Sequence, residues 1–181
     1  LQHQKLEKEL KNDFKVDNLS LINHGTIALQ IALKALELEG EVITTPFTFA
    51  ATSHTIVANN LTPVFCDIEL NSFNIDAEKI EKLITEDTSA IIPVHIFGNP
   101  CDVENIRQIA DKYDLKIIYD AAQAFGVKVH GKSIAEYGDI SMFSFHATKV
   151  FNSIEGGMLT YRDSSLKSQL EKKKNFGLSN S

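Results

Sequence analysis

Short apolar runs, each followed by a stretch with helical spacing, recur along most of this chain. Leu6, Leu10 and Phe14 fall at i, i+4 and i+8 with charges between them, which predicts an amphipathic helix over 6–14. Leu19–Ile22 reads as a strand, Asn23-His24-Gly25-Thr26 as a glycine turn, and the Ala- and Leu-rich stretch 27–36 as a helix. The alternation continues with a strand at 41–45, a helix at 49–59 and a strand at 62–67 that ends on an acid. Asp76 is placed to cap a helix through Ile84, residues 90–94 form the next strand, and Asp102 caps a helix at Val103–Tyr113. A buried strand at 116–119 is closed by Asp120.

The rhythm then changes. Residues 127–134 alternate around a Gly turn, as in a β-hairpin. Two buried strands follow at 140–145 and Gly157–Tyr161, then a charged helix at 166–176. Strands alternating with helices imply an α/β fold with a mainly parallel central sheet covered by helices on both faces, carrying the hairpin as a small insertion. No repeat, low-complexity segment or linker divides the sequence, so 1–181 is expected to form one domain.

Composition narrows the class. A 181-residue chain with 43% hydrophobic and 23% charged residues can bury a core without staples. A net charge of -6, with no basic run longer than Lys172-Lys173-Lys174, argues against nucleic acid as a partner. Cys66 and Cys101 lack metal-ligand spacing and suggest neither a metal site nor a disulfide framework, which fits a reducing cytoplasm. No apolar run approaches the roughly 18 residues of a membrane span. The chain starts with Leu and ends in polar residues, which suggests a piece of a longer protein.

Ligands of such a sheet sit at the carboxyl ends of its strands, so the residues closing each apolar run carry the information. His24-Gly25-Thr26 opens a helix and can offer amides, a hydroxyl and a positive helix end to a phosphate, although the same turn also serves purely structural ends. Asp120 either pairs with a cation, such as a protonated pyridine nitrogen, or caps the segment after it. Phe49, at a strand-to-helix junction, either stacks on a flat ring or joins the core. Lys149, beyond the strand that ends near Ser144, is either a surface lysine or a reactive amine suited to Schiff-base chemistry with an aldehyde cofactor. Together these are the parts needed to hold pyridoxal phosphate.

Several longer motifs stand in a recognisable order: Asn23-His24-Gly25-Thr26 with Ala28-Leu29, residues 41–52, 62–68, 92–100, Asp120-Ala121-Ala122-Gln123-Ala124, and 144–157. Through them the chain resembles the DegT/StrS-type sugar aminotransferases, pyridoxal-phosphate enzymes of fold type I. The resemblance implies that 1–181 is the large cofactor domain, without the preceding segment and the small carboxyl-terminal domain of family members. It makes Lys149 the Schiff-base lysine and the base, Asp120 the partner of the pyridine nitrogen, and Gln123 a contact on the cofactor's phenolic-oxygen side. It gives Phe49 to the ring face and Gly25, Thr26 and Ser144 to the phosphate.

The implied reaction is ping-pong transamination. An amino acid, by resemblance glutamate, donates an amine that a nucleotide-linked keto-6-deoxy sugar receives, and residues 143–152 most resemble the subset acting on dTDP-linked sugars. His146 is a candidate substrate contact, with a hydrogen-bonded turn role as its alternative, shared by His24, His54 and His95. A homodimer with a shared active site is implied as well. The related sugar dehydratases carry His at the lysine position, and a non-catalytic module would have no use for Lys149, Asp120 and the phosphate residues together.

Overall fold

A computed structural model describes residues 2–174 of the chain. Along the sequence run α1 (Gln2–Phe14), β1 (Leu19–Ile22), α2 (Gly25–Ala35), β2 (Glu41–Thr44), α3 (Ala51–Ala58), β3 (Thr62–Phe65), α4 (Ala77–Ile80) and β4 (Thr88–Ile91). They are followed by α5 (Val103–Tyr113), β5 (Lys116–Asp120), β6 (Lys128–Val129), β7 (Lys132–Ser133), β8 (Ile140–Ser144), β9 (Gly157–Tyr161) and α6 (Leu166–Lys174). Seven strands join in the order β1-β9-β8-β5-β4-β2-β3. Only β9 runs against its neighbours within this sheet, pairing antiparallel with both β1 and β8.

The strands are apolar on both faces because both faces are covered. Alternate residues divide between two cores: Ile43, Ile91, Ile117, Tyr119 and Phe143 pack with residues of α1, α4 and α5. Val42, Ala90, Ile92, Ile118, Ile140 and Met142 pack with residues of α2, α3 and α6. Helix α2 is buried along most of its length, Ala28, Leu29, Ala32 and Leu33 among its core residues. That burial fixes its amino end at the carboxyl edge of the sheet, where the site forms.

The hairpin is present as β6 and β7. Its two turn residues, His130 and Gly131, both have positive φ, 49° and 79°, the conformation of a type I′ turn that suits the strand twist. Elsewhere the elements start or stop a few residues from the pattern-based bounds. Strand β4 was expected at 90–94 but spans Thr88–Ile91. Pro93 has no amide hydrogen to donate to the ladder, although its carbonyl still accepts from Asp120 N at 2.9 Å. Helix α3 starts at Ala51 rather than Phe49. The helix capped by Asp76 turns 3₁₀ at Glu81–Leu83. The expected end of the last helix, at 175–176, lies outside the described residues. No helix among the described residues is long and apolar enough to cross a membrane.

Candidate active site

At the carboxyl edge of the parallel strands lies a cavity of about 620 Å³, within the range of small-molecule sites. Its walls come from the turns after β1, β2, β4, β5 and β8. His24, Gly25, Thr26, Phe49, Asp120, Gln123, Ser144, His146 and Lys149 all line it. Every site residue expected from the sequence is thus brought to one concavity, from positions up to 125 residues apart, the separation of His24 and Lys149 (149 − 24).

Asp120 closes the central strand β5 and is only 6% exposed. Thr52, in the first turn of α3, donates its hydroxyl to Oδ2 at 2.8 Å, and Ala122 N–H donates to Oδ1 at 3.1 Å. The second bond shows that the capping role anticipated for Asp120 takes one of its two oxygens. Thr52 Oγ1 in turn lies 2.9 Å from Thr48 Oγ1. Since Thr52 spends its hydrogen on the carboxylate, Thr48 donates to Thr52. Burial nevertheless pushes the Asp120 carboxyl above its ordinary value, outweighing the lowering effect of Thr52, the Ala122 amide and the Lys149 charge. A carboxylate placed this way is a buried anion in want of a cation.

His95 holds the backbone beside it. His95 N–H donates to Asp120 O at 3.0 Å, and the imidazole, fully buried, stacks on Tyr119 at 4.7 Å. Its Nδ1 accepts from Cys101 N–H, and burial pushes its pKa down to about 3, so the ring is neutral at physiological pH. His95 also lines the cavity, and its Nε2 is buried with no hydrogen-bond partner among the described residues.

The corner formed by Gly25 and Ser144 is built by close approach. A Cβ placed on Gly25 would lie 3.0 Å from Ser144 Cβ, and one on Gly157 would lie 2.8 Å from Phe143 O and 3.2 Å from Gly25 N. Glycine at these positions lets the start of α2 sit directly against the end of β8. Ser144 Oγ and the amides at the start of an 11-residue helix therefore face one corner of the cavity, an arrangement suited to a phosphate. His24 caps the helix, its Nδ1 accepting from Thr26 N–H at 3.1 Å.

Phe49 is 78% exposed, so the core role open to it from sequence does not apply. Its face is available to a planar ligand. Gln123 Oε1 accepts from Phe97 N–H at 2.8 Å, which leaves the side-chain amide NH₂ as its available donor. Phe97 holds a left-handed backbone, φ 56°, and is 73% exposed. With Phe47 and Phe73 it forms an aromatic rim, at centroid distances of 5.3 and 6.2 Å from Phe47.

Lys149 stands in the turn after β8, half-buried. The segment 145–156 that carries it closes on itself: Phe145 N–H donates to Gly156 O and Ala147 N–H to Ile154 O, both at 2.8 Å, and Lys149 N–H reaches His146 O at 2.9 Å. Phe151 stacks on Phe125 at 4.4 Å and sets the far side of the loop on the core. His146 Nδ1 accepts from Thr148 N–H at 3.2 Å, the turn role anticipated as the alternative to substrate contact. Thr52 and Glu155 were not singled out from sequence. A threonine one turn after Thr48, and an acid directly before two glycines, were the available signals.

These features place a lysine and a buried acid at adjacent strand ends of an α/β fold, on one cavity of small-molecule size. The chain belongs to the DegT/DnrJ/EryC1/StrS aminotransferase family, whose model matches residues 2–181. It is 53% identical over 175 residues to a dTDP-4-amino-4,6-dideoxy-D-glucose transaminase of Shigella dysenteriae, covering 97% of this chain and 48% of that protein. DesI, solved in the presence of its TDP-sugar product, superimposes with a TM-score of 0.93 at 36% identity, over 97% of this chain and 45% of that one. DesV of S. venezuelae, solved with a ketimine intermediate, gives 0.95 at 32% identity, over 99% and 49%. The chain spans about half the length of the relatives it matches.

Proposed function

We propose that this chain is the cofactor domain of a pyridoxal-phosphate aminotransferase that moves an amino group from an amino acid, glutamate first, to the keto group of a dTDP-linked 6-deoxy sugar. The observation that carries the reading is the pair Asp120 and Lys149 on one cavity, with Asp120 buried and in no ion pair among the described residues. The residues present fit the cofactor: the tight Gly25–Ser144 corner takes its phosphate, Asp120 its ring nitrogen, Phe49 its face and the Gln123 amide its phenolic-oxygen side. Bound there, pyridoxal phosphate supplies an electron sink for amine exchange.

The protein's own part follows from position. Asp120 holds a proton on the ring nitrogen by pairing with the cation that results, and the hydroxyls of Thr52 and Thr48 keep its carboxylate aimed. Lys149 anchors the cofactor and, once displaced by substrate, moves a proton at the amino acid's Cα. Lysine, where the related dehydratases have histidine, favours transfer of the amine over loss of a hydroxyl. The relatives named above, a dTDP-4-amino-4,6-dideoxy-D-glucose transaminase and the TDP-sugar enzyme DesI, support a dTDP sugar aminated at C4. Phe47 and Phe97 line the cavity and, with Phe73 stacked on Phe47, form an exposed aromatic cluster, which supports a second copy of the chain covering it in a homodimer. Two unpaired buried thiols, Cys66 and Cys101, suit a reducing cytoplasm.

The complete enzyme reconstituted with pyridoxal phosphate is expected to absorb near the visible edge, to bleach with glutamate, and to keep the cofactor covalently on Lys149 after borohydride reduction. Reduction that labels another lysine, or none, overturns the mechanism. A panel of nucleotide-linked keto-sugars, with product analysis by NMR, tests the sugar and the aminated carbon.

A further inference from the structure

Glu155 sits between two imidazoles at the cavity wall. Its Oε2 is 3.6 Å from His24 Nε2, and its Oε1 is 3.8 Å from His146 Nε2. Each imidazole uses its other nitrogen in the same way. His24 Nδ1 accepts from Thr26 N–H at 3.1 Å, and His146 Nδ1 accepts from Thr148 N–H at 3.2 Å, with the Thr148 hydroxyl 2.9 Å away. A nitrogen accepting from an amide carries no proton of its own, so in both rings Nε2 is the nitrogen that bears one, and it faces the carboxylate.

The result is a symmetrical chain of contacts, its two carboxylate–imidazole steps being electrostatic and longer than a direct hydrogen bond. It runs from the Thr26 amide through His24, Glu155 and His146 to the Thr148 amide. One end is in the first turn of α2, in the corner suited to a phosphate, and the other is the residue next to Lys149. The main chain carrying the carboxylate is held by two bonds: Glu155 O accepts from Ser153 Oγ at 2.9 Å, and Gly156 O accepts from Phe145 N–H. Charge is not what gives this contact its interest, since all three side chains are about half exposed and such pairs contribute little to stability. Its interest is connectivity: it is a side-chain path between the helix start and the lysine turn that does not pass through the core.

We infer that Glu155 is a positioning residue that makes the placement of Lys149 depend on occupancy of the phosphate corner. An anion drawn to the amides at the start of α2 competes with His24 for Thr26 N–H. The ring that yields stays tethered to Glu155, and the change reaches His146 and the turn holding Lys149. Removing the carboxylate leaves the phosphate donors at Gly25, Thr26 and Ser144 in place but uncouples them from the lysine. The inference rests on the pyridoxal-phosphate reading above.

The test uses the complete enzyme and compares borohydride-trapped capture by Lys149 at saturating pyridoxal phosphate with capture at saturating pyridoxal, which lacks the phosphate. Wild type should capture the phosphorylated aldehyde much faster. In Glu155→Ala the advantage should shrink about tenfold, a part of the roughly 10²-fold that a 1 Å misplacement can cost, while pyridoxal capture is unchanged. Inorganic phosphate should still compete with pyridoxal phosphate for binding. Glu155→Gln, which keeps the shape of the side chain, should fall in between. His24→Ala should lose the same advantage, and the double variant His24→Ala with Glu155→Ala should lose no more than either single one, because a series connection breaks once.

Additive losses, equal slowing of both aldehydes, or wild-type behaviour in Glu155→Ala would each overturn the coupling. Wild type that captures neither aldehyde on Lys149 would instead overturn the cofactor reading, so the two failures are distinguishable.

Discussion

Asp120 and Lys149 reach the same cavity from adjacent parallel strands, β5 and β8, yet they are held by opposite means. Asp120 is fixed by the interior: it is buried, both oxygens are hydrogen-bonded, and core strands flank it on each side. Lys149 is fixed by turn chemistry, in a half-exposed loop closed by backbone bonds and one aromatic stack. The acid is therefore preorganised at a cost in folding, since its charge is buried before any cation arrives. The lysine carries no comparable cost. A group that stays put can be built into a core, whereas a group that must leave and return belongs in a loop.

Substitutions at the two ends should separate these roles. The largest effect is expected from Lys149→Ala, which should lower turnover of the complete enzyme by at least about 10³-fold and abolish covalent labelling. Because the side chain is not part of a core, the apoprotein's thermal midpoint should stay where it is. A fall of many degrees would show that the loop is structural after all.

Asp120→Asn should cost turnover about 10²-fold or more while moving stability the other way. The folded-state pKa of Asp120 is raised, so the folded protein binds its proton more tightly than the unfolded chain does. Stability is therefore lost as pH rises from the ordinary carboxylate range through the raised value. The apoprotein carrying Asn should melt above wild type at neutral pH, with the gap closing as pH falls toward the ordinary range. Melting curves across pH check this, and a gap that widens on acidification would contradict it.

Thr52→Val probes the same end more gently. It leaves a buried carboxyl oxygen without its donor, for a loss of about 1–3 kcal/mol in denaturant unfolding. It should also raise the Asp120 pKa further, since the Thr52 hydrogen bond is the largest influence lowering it; carboxyl NMR titration reads that shift. The smallest effect belongs to Phe49→Ala, which should leave apoprotein stability within about 0.5 kcal/mol. It should weaken cofactor binding by about 1 kcal/mol, the scale of an aromatic stack, measured by equilibrium titration.

The same division explains what could be read from the residues alone. Strands such as β5 and β8 were legible because apolar runs of that length have nowhere to go but a covered sheet, and Asp120 stood out as the polar residue ending one. Lys149, Gly25 and Thr26 were legible as a constellation and not singly. Thr52 was not, because a threonine in a helix shows no sign of its partner 68 residues away. Glu155 was hidden likewise, since its meaning depends on His24 across the sheet edge. Pro93 misled the bounds of β4: the residues around it are apolar enough for a strand, while the missing amide hydrogen limits the ladder. The exposure of Phe49 was the least readable feature, because an aromatic exposed at a cavity wall has the same composition as one that fills a core.

The antiparallel strand β9 gives the two ends different histories as well as different surroundings. Residues 145–156 connect neighbouring strands that pair from Ser144↔Gly157 outward, so the loop bearing Lys149 is the tip of a hairpin. Such a unit can zip up from its own short segment within microseconds, about 1–10 μs in isolated hairpins. The environment of Asp120 needs crossovers that bring β4, β5, β8 and α3 together from distant parts of the chain, a far slower search. During folding, then, the loop bearing Lys149 can be in shape while the pocket around Asp120 is still being assembled.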